Sequence, residues 1–394
     1  MGKDLSISTF AAGALAAFVG FAGSFAIVVQ GLYGVGANAT QAASGLMALA
    51  ISMGVCAIVL AIKTGMPVSV AWSTPGAAFL ATVGPMEGGF SVAVGAFIVT
   101  AVLLILTGLW KPFGRIVSAI PTPLASAMLA GVLLPLCLKP FEAIAGFPTV
   151  GIPIIVTWAV VSRINRLFAV PAAVLVAAIL IVTVFDIDTA QMDTLWSNPV
   201  VVTPSFSVSG LIGIALPLFI ITMAGQNITG IAVLNSFGYR PDASSMFGWT
   251  GLFSLASAPF GGHAVNLAAI TTAICAGPEA HPDPDKRYWS AIVGGIIYVI
   301  FGLTAGAAIA FISLSPPVLI AAVAGLALFG ALSGSLLSAM SSERDREAAL
   351  ITFLVTASGI TFFGISGVFW GLLAGGAVYL WDHRKQGSER EDGI

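Results

Sequence analysis

Two stretches of this chain combine residue types and spacings that could bind an ion and move a proton. The first is PFGGHAVNLAAITT, residues 259–272. It opens on Pro259, Phe260, Gly261 and Gly262, which do not sustain a helix, passes through His263, and becomes an apolar run that reads as helical with Asn266 near its start. The second stretch lies in the other half of the chain. Residues 66–72, MPVSVAW, read as extended, and Ser73-Thr74-Pro75-Gly76 then supplies an N-cap candidate followed by proline, a good start for a helix. A half-helix that begins inside a bilayer aims unpaired N–H groups and the positive end of its dipole at the gap before it. Such an end attracts an anion before any side chain is added.

His263 is the titratable group at this point. A dry site and the neighbouring dipole favour its neutral ring, whereas a bound carboxylate favours the imidazolium. Proton and anion then favour each other's binding, which is the reciprocity that symport requires. The alternative is a neutral ring that ties down the broken backbone by hydrogen bonds. Gln30, Gln226 and Asn227 add uncharged donors and acceptors, and ordinary interhelical hydrogen bonding explains such residues equally well. Ser73, Thr74 and Asn266 flank the two expected helix starts. Phe25, Tyr33, Trp72 and Phe260 could supply flat apolar walls, against the alternative of plain packing. Trp72 stands apart because Trp110, Trp196 and Trp381 occupy interfacial positions.

These residues need elements to hold them, and the composition says which kind. Of 394 residues, 58% are hydrophobic and 8% charged, whereas soluble domains carry about 25% charged residues. The chain therefore reads as a polytopic protein whose main partner is the lipid bilayer, and no nucleic-acid partner is expected. Cys56, Cys137 and Cys275 fall in apolar segments without disulfide or zinc spacing. No cofactor or metal is expected. The absence of a buried carboxylate pair, a histidine cluster or a His-assisted nucleophile motif argues against an intramembrane enzyme. The hydrophobic run after the amino terminus is too long for a signal-peptide core and reads as a first transmembrane helix.

Apolar stretches predict spans near residues 9–32, 40–62, 90–110, 121–138, 146–162 and 168–185, with a short one near 67–83. A polar segment over 186–205 follows. The second half predicts spans near 208–234, 243–258, 288–312, 317–340, 348–365 and 367–381, with a short one near 259–276. With a cytoplasmic amino terminus, the inner loops receive fourteen cations: Lys3, Lys63, Lys111, Arg115, Arg163, Arg166, Arg240, Lys286, Arg287, Arg344, Arg346, Arg384, Lys385 and Arg390. The outer loops receive only Lys139. That bias predicts that both termini are cytoplasmic. On this layout every Asp, Glu, Lys and Arg lies in a loop, a terminus or a membrane edge, and His263 is the exception. An ionisable residue at membrane depth is a candidate functional group.

The chain also repeats. A shift of about 194 residues lays 120–134 (IPTPLASAMLAGVLL) over 314–328 (LSPPVLIAAVAGLAL), and a shift of 193 lays 71–85 over 264–278. The expected fold class is thus an all-α integral membrane protein with fourteen transmembrane elements. They form seven-plus-seven inverted repeats, residues 1–190 and 205–394, with interrupted third and tenth spans. Inverted repeats of this kind belong to secondary transporters, whose sites lie where the interrupted helices of the two halves meet.

At these residues the chain resembles a known family. GQNITGIAVLNSFGYRPD (225–242) and FGGHAVNLAAITTAICAGPEAHPDPDKRYW (260–289) closely resemble the benzoate–proton symporters of the BenE type. One departure is Thr229, where a helix-breaking proline is expected in the eighth span. The resemblance implies the fold of uracil and sulfate permeases, with a core domain (1–112 and 205–312) and a gate domain (113–190 and 313–382), often as a homodimer. It also implies a bacterial cytoplasmic (inner) membrane location and import of benzoate or a similar aromatic monocarboxylate with protons by alternating access. On that reading Gln30, Trp72, Ser73, Thr74, Gln226, Asn227, Asn266, Phe25, Tyr33 and Phe260 contact substrate, and His263 couples the proton. The alternative is an anion channel, or a permease for another small organic anion or a nucleobase, on the same scaffold. Gln226 and Asn266 stand where nucleobase carriers place glutamates, and only 382–394 follow the last span, too short for the regulatory domain of a sulfate permease.

Overall fold

The computed structural model describes residues 6–110, 121–185, 196–362 and 365–391, with side chains in the last stretch described as far as His383. Lys3, Lys111, Arg115 and the aspartates Asp186, Asp188 and Asp193, as well as the expected domain boundaries at 112/113 and 190, lie outside the described residues.

The first half runs α1 (Ile7–Ala22), α2 (Phe25–Gly34), α3 (Ala39–Thr64), β1 (Val70–Trp72), α4 (Thr74–Val83), α5 (Phe90–Leu109), α6 (Thr122–Gly146), α7 (Pro148–Ile164) and α8 (Arg166–Val184). The second half starts with α9 (Val208–Ser236), a continuous helix with π-turns at Leu211–Ala215 and Met223–Asn227. It continues through α10 (Ala243–Ser257), β2 (Val265–Leu267), α11 (Ala269–Ala276), α12 (Tyr288–Leu303), α13 (Ala305–Leu314), α14 (Pro317–Ala339), α15 (Arg346–Ala357), β3 (Thr361–Phe362), β4 (Ile365–Ser366) and α16 (Gly367–Glu391).

Among the described residues, seven helices are long and apolar enough to cross a membrane: α1 with α2, α3, α5, α6, α8, α9 and α14. Residues 284–303 and α13, bent by 53° where they meet, make an eighth if taken together. This is an all-α membrane protein, and most of the expected spans overlap a helix or a strand–helix unit. The ends follow local chemistry. Asn38 and Gln41 form a reciprocal capping box at the start of α3, and Gly65 at φ 65° ends it.

Three details differ from the sequence expectation. The first span breaks at Gly23–Ser24 instead of running through 9–32. The expected helix over 348–365 stops at Ala357, beside Gly359 at φ 65°, and gives way to the β3–β4 hairpin. The eighth span, by contrast, carries no break at Thr229, in keeping with the threonine that stands there in place of proline, and its hydroxyl donates to the carbonyls of Gly225 (3.0 Å) and Gln226 (2.9 Å) within α9. Finally, Asn266 does not start a helix. It sits in β2, and α11 begins three residues later.

β1 and β2 form an antiparallel ribbon, with Val70 opposite Leu267, Ala71 opposite Asn266 and Trp72 opposite Val265. Bonds from Ser73 N–H to the Ala264 carbonyl (3.0 Å) and from Ala268 N–H to the Ser69 carbonyl (3.1 Å) extend it at both ends. Because the strands are antiparallel, α4 and α11 leave from opposite ends of the ribbon. Around it α2 packs on α4, α12 on α3 and α1, and α10 on α5, while α6 packs along α14 and α15.

The helices approach closely where side chains are absent. At Gly54 of α3 and Gly295 of α12, a Cβ on either residue would meet the other's carbonyl oxygen. Gly295→Val should therefore cost about 1–3 kcal/mol through overpacking and lower the thermal midpoint of the detergent-solubilised protein by several degrees. Gly330→Ala, whose Cβ would meet nothing within 4 Å, should leave the midpoint unchanged or slightly raised.

Candidate functional site

Ser73 is the meeting point of the site. It caps α4 by accepting the Gly76 N–H on its hydroxyl oxygen (3.2 Å), and its carbonyl accepts the Ala77 N–H (2.8 Å). Pro75 has no N–H, so the first turn of α4 is largely self-satisfied rather than open as expected. α11 differs, because its N-cap, Ala268, offers no side-chain bond. The more open helix end is therefore that of α11.

Three further groups converge on Ser73. Thr222 on α9 donates its hydroxyl to Ser73 Oγ (2.9 Å). The Asn266 amide, oriented with its oxygen toward Ser73 N–H (2.8 Å), places its nitrogen on the Leu267 carbonyl (2.8 Å). His263, 0% exposed, places Nε2 at 3.0 Å from the Ser73 carbonyl. A carbonyl only accepts, so Nε2 carries the hydrogen and Nδ1 is the basic nitrogen of the neutral ring. Nδ1 is buried and has no hydrogen-bond partner among the described residues. Phe97 on α5 meets the imidazole edge-on at 6.3 Å. Gly261, two residues before the histidine, turns the chain at φ 93°, a conformation that L side chains rarely adopt.

The amide side chains divide into two kinds. Asn227 is fully buried at the end of the second π-turn of α9, accepts the Leu267 N–H on Oδ1 (2.9 Å) and turns its nitrogen to Met223 Sδ (3.3 Å). It grips β2. Gln30 and Gln226 are half-buried, and their side chains make no hydrogen bond among the described residues. Gln30 precedes Gly31, which lies against the Ala77 backbone, and Gln226 follows Gly225, which lies beside Pro75. Both amides are thus one position away in sequence from a glycine in contact with the first turns of α4.

The aromatic residues also separate. Trp72 is 1% exposed, its indole N–H donates to Ser24 Oγ (2.8 Å), and its ring lies 5.3 Å from Phe21. Phe25 stacks on Phe21 at 5.8 Å. The Tyr33 hydroxyl shares a 3.5 Å hydrogen bond with Ser313 Oγ at the end of α13. Phe260 is half-buried, and its carbonyl accepts the Ser44 hydroxyl (2.9 Å). Thr74, the first residue of α4, is half-buried. The ribbon thus gathers Trp72, Ser73, Thr74, Asn227, His263 and Asn266, with Phe25 one ring removed through Phe21 and Tyr33 directed elsewhere, while Gln30 and Gln226 are neighbours in sequence of glycines that touch α4.

The sequence reading missed Thr222, Ser24 and Phe21. Thr222 lies one helical turn before Gln226, a spacing that shares a face, and Ser24 follows glycine inside an apolar run, a common place for a helix to break. It also left Arg287 as a loop cation. That guanidinium is buried and donates to the carbonyls of Ala276 (2.8 Å) and His281 (2.7 Å), so it closes the C-terminal end of α11. No group of three or more His, Cys, Asp or Glu residues that could hold a metal ion occurs among the described residues.

The helices pack around a buried strand pair, and known structures share this fold. The transmembrane domain of the cyanobacterial bicarbonate transporter BicA superposes with a TM-score of 0.61 at 15% identity, covering 95% of this chain and 98% of that one. SLC26A9 gives 0.60 at 14% identity over 95% of this chain and 65% of its own, and murine Slc26a9, an anion transporter in the inward-facing state, gives 0.59 at 14% over 98% and 69%. The family is narrower than the fold. Residues 3–381 match the BenE family, described as benzoate membrane transport protein, and the chain belongs to it. It is 41% identical over 372 residues to the inner membrane protein YdcO of Escherichia coli, covering 94% of this chain and 95% of that protein. It is 33% identical over 377 residues to the benzoate membrane transport protein of Acinetobacter baylyi, covering 96% and 95%. This is a family of transporters, not enzymes.

The two kinds of amide should behave differently on truncation. Asn227→Ala leaves the buried Leu267 N–H without an acceptor and should cost about 1–3 kcal/mol. Gln226→Ala has no such bond to lose and should stay within about 0.5 kcal/mol. Thermal unfolding of the two variants in the same detergent checks this.

Proposed function

We propose that this chain imports benzoate or a similar aromatic monocarboxylate together with protons, by alternating access, across a bacterial inner membrane. The observation that carries the reading is the buried imidazole bonded to the Ser73 carbonyl at the foot of α4, its second nitrogen without a hydrogen-bond partner among the described residues, in a chain that belongs to the BenE family. The name of the Acinetobacter baylyi relative supports the substrate class, and that of the Escherichia coli relative supports the location.

In this reading the carboxylate binds near the helix starts that flank the ribbon. It engages the amide-rich start of α11, Ser73 and Asn266, with Gln30 and Gln226 supplying donors that are not committed elsewhere and Asn227 holding the strand. The ring lies against Phe25 and Trp72, with Thr74 and Phe260 at the margin and Tyr33 farther along α2. A carboxylate brought close favours protonation of His263 at Nδ1, and the charged ring holds the carboxylate in return. Neutral paired cargo crosses where a bare anion would not.

Trp72, Ser73, Asn266 and His263 are all buried, so loading requires one helix group to move against the other. We assign residues 1–112 and 205–312 to a core and 113–190 and 313–382 to a gate, arranged as fourteen elements in two inverted repeats with both termini cytoplasmic, in a homodimer. The packing of α6 on α14 and α15, and of α12 on α1 and α3, supports that division.

Two measurements test the reading. In proteoliposomes with an imposed inward proton gradient, wild-type protein accumulates benzoate above equilibrium, and His263→Ala abolishes this accumulation while leaving exchange. Concentrative uptake with wild-type pH dependence in that variant rules out the coupling role, and wild-type flux that never runs uphill points to a channel. Separately, benzoate should raise the thermal midpoint in a saturable way, and uracil and sulfate should not.

A further inference from the structure

The break in the first span has a feature that a simple kink does not need. A serine at a helix start ordinarily turns its oxygen onto the N–H two or three residues on, yet Ser24, the N-cap of α2, makes no such bond. Its hydroxyl is committed across the fold. Oγ accepts the indole N–H of Trp72 at 2.8 Å and donates its own hydrogen to the Gly20 carbonyl at 2.8 Å. The direction is unambiguous, because an indole nitrogen only donates and a carbonyl only accepts.

Trp72 is the last residue of β1 and precedes Ser73. At 1% exposure its N–H needs a partner, and Ser24 is the one it has. The bond fixes the plane of the largest ring on the ribbon. That plane is tilted by 57° to Phe21, which in turn lies nearly parallel to Phe25 (9°) and tilted against Phe301 of α12 at 4.9 Å. Phe21, Phe25 and Phe301 are half-buried. The break therefore joins one strand side chain to a set of rings on α1, α2 and α12, at the head of the helix that carries the unpartnered amide of Gln30.

We infer that Ser24 is a positioning residue for aromatic specificity: by holding the Trp72 indole against Phe21 it sets the wall that distinguishes a flat aromatic acid from a non-aromatic acid of similar size. The inference rests on the proposed transport of aromatic monocarboxylates. A flat ring gains from an oriented aromatic wall through offset or edge-on contact, whereas a puckered saturated ring gains only contact area. Loss of the hydroxyl frees the indole to rotate, so the penalty falls on the aromatic substrate.

The test compares uptake of benzoate and cyclohexanecarboxylate by full-length protein in proteoliposomes. Wild-type protein should prefer benzoate. Ser24→Ala should raise KM for benzoate about tenfold with little change in maximal rate and in KM for cyclohexanecarboxylate. Ser24→Thr, which keeps the hydroxyl, should restore the preference. Trp72→Phe removes the N–H, and adding Ser24→Ala to it should have no further effect on selectivity, as for two residues acting through one bond. Equal losses for both acids in Ser24→Ala, or effects of the two substitutions that add, would mean that Ser24 only supports the helix break. Failure of wild-type protein to accumulate either acid would overturn the transport reading and this inference with it. Benzoate uptake by wild type with unchanged selectivity in Ser24→Ala would overturn the inference alone.

Discussion

A chain surrounded by hydrocarbon must satisfy its backbone N–H and C=O groups internally. α4 and α11 are too short to cross a bilayer as helices, and each is preceded by extended residues that no helix pairs. The two extended pieces, far apart in sequence, pair with each other, Val70–Trp72 against Val265–Leu267. Neither could be buried alone. This mutual satisfaction permits interrupted elements in the interior, and Trp72, Ser73, His263 and Asn266 are all held on or beside it.

The ribbon ends concentrate polar groups at Ser73. Its hydroxyl, amide and carbonyl connect it to Thr222 on α9, to Ala264 just before β2 and Asn266 within it, and to His263. Asn227 holds the other end of β2 from the second π-turn of α9. A π-turn displaces the residues that follow it along a helix face, and such turns are common at functional sites. Here it lets one helix place a buried amide on the strand and a half-buried amide, Gln226, next to it. One helix, α9, is thus bonded to both ends of the ribbon, through Thr222 to Ser73 and through Asn227 to Leu267.

Much of this was legible in the sequence, for reasons tied to particular residues. The length of apolar runs located the spans, and Pro67, Pro259, Gly261 and Gly262 marked where helices could not continue. His263 stood out because every Asp, Glu, Lys and Arg falls in a loop, a terminus or a membrane edge on the expected layout, whereas it lies at membrane depth. What could not be read was the division between strand and helix around Asn266, since three residues of β2 are specified by a partner strand elsewhere in the chain. The same holds for Ser24. Its bond to Trp72 spans 48 positions, that of Thr222 to Ser73 spans 149, and that of His263 to Ser73 spans 190. Local pattern encodes which segments are helical, but contacts at those separations emerge only from packing. The self-satisfied first turn of α4 was missed for a related reason: a good capping sequence consumes the donors that would make the helix end a free anion site.

The central claim is that carboxylate binding at this ribbon and protonation of His263 are one coupled event. Isothermal titration of benzoate into purified protein, in two buffers of different ionisation enthalpy at the same pH, counts the protons exchanged on binding. The account predicts net uptake of up to about one proton per benzoate bound by wild-type protein and close to none by the His263→Gln variant. Benzoate binding with no proton uptake by wild type, or equal uptake in both proteins, would contradict it.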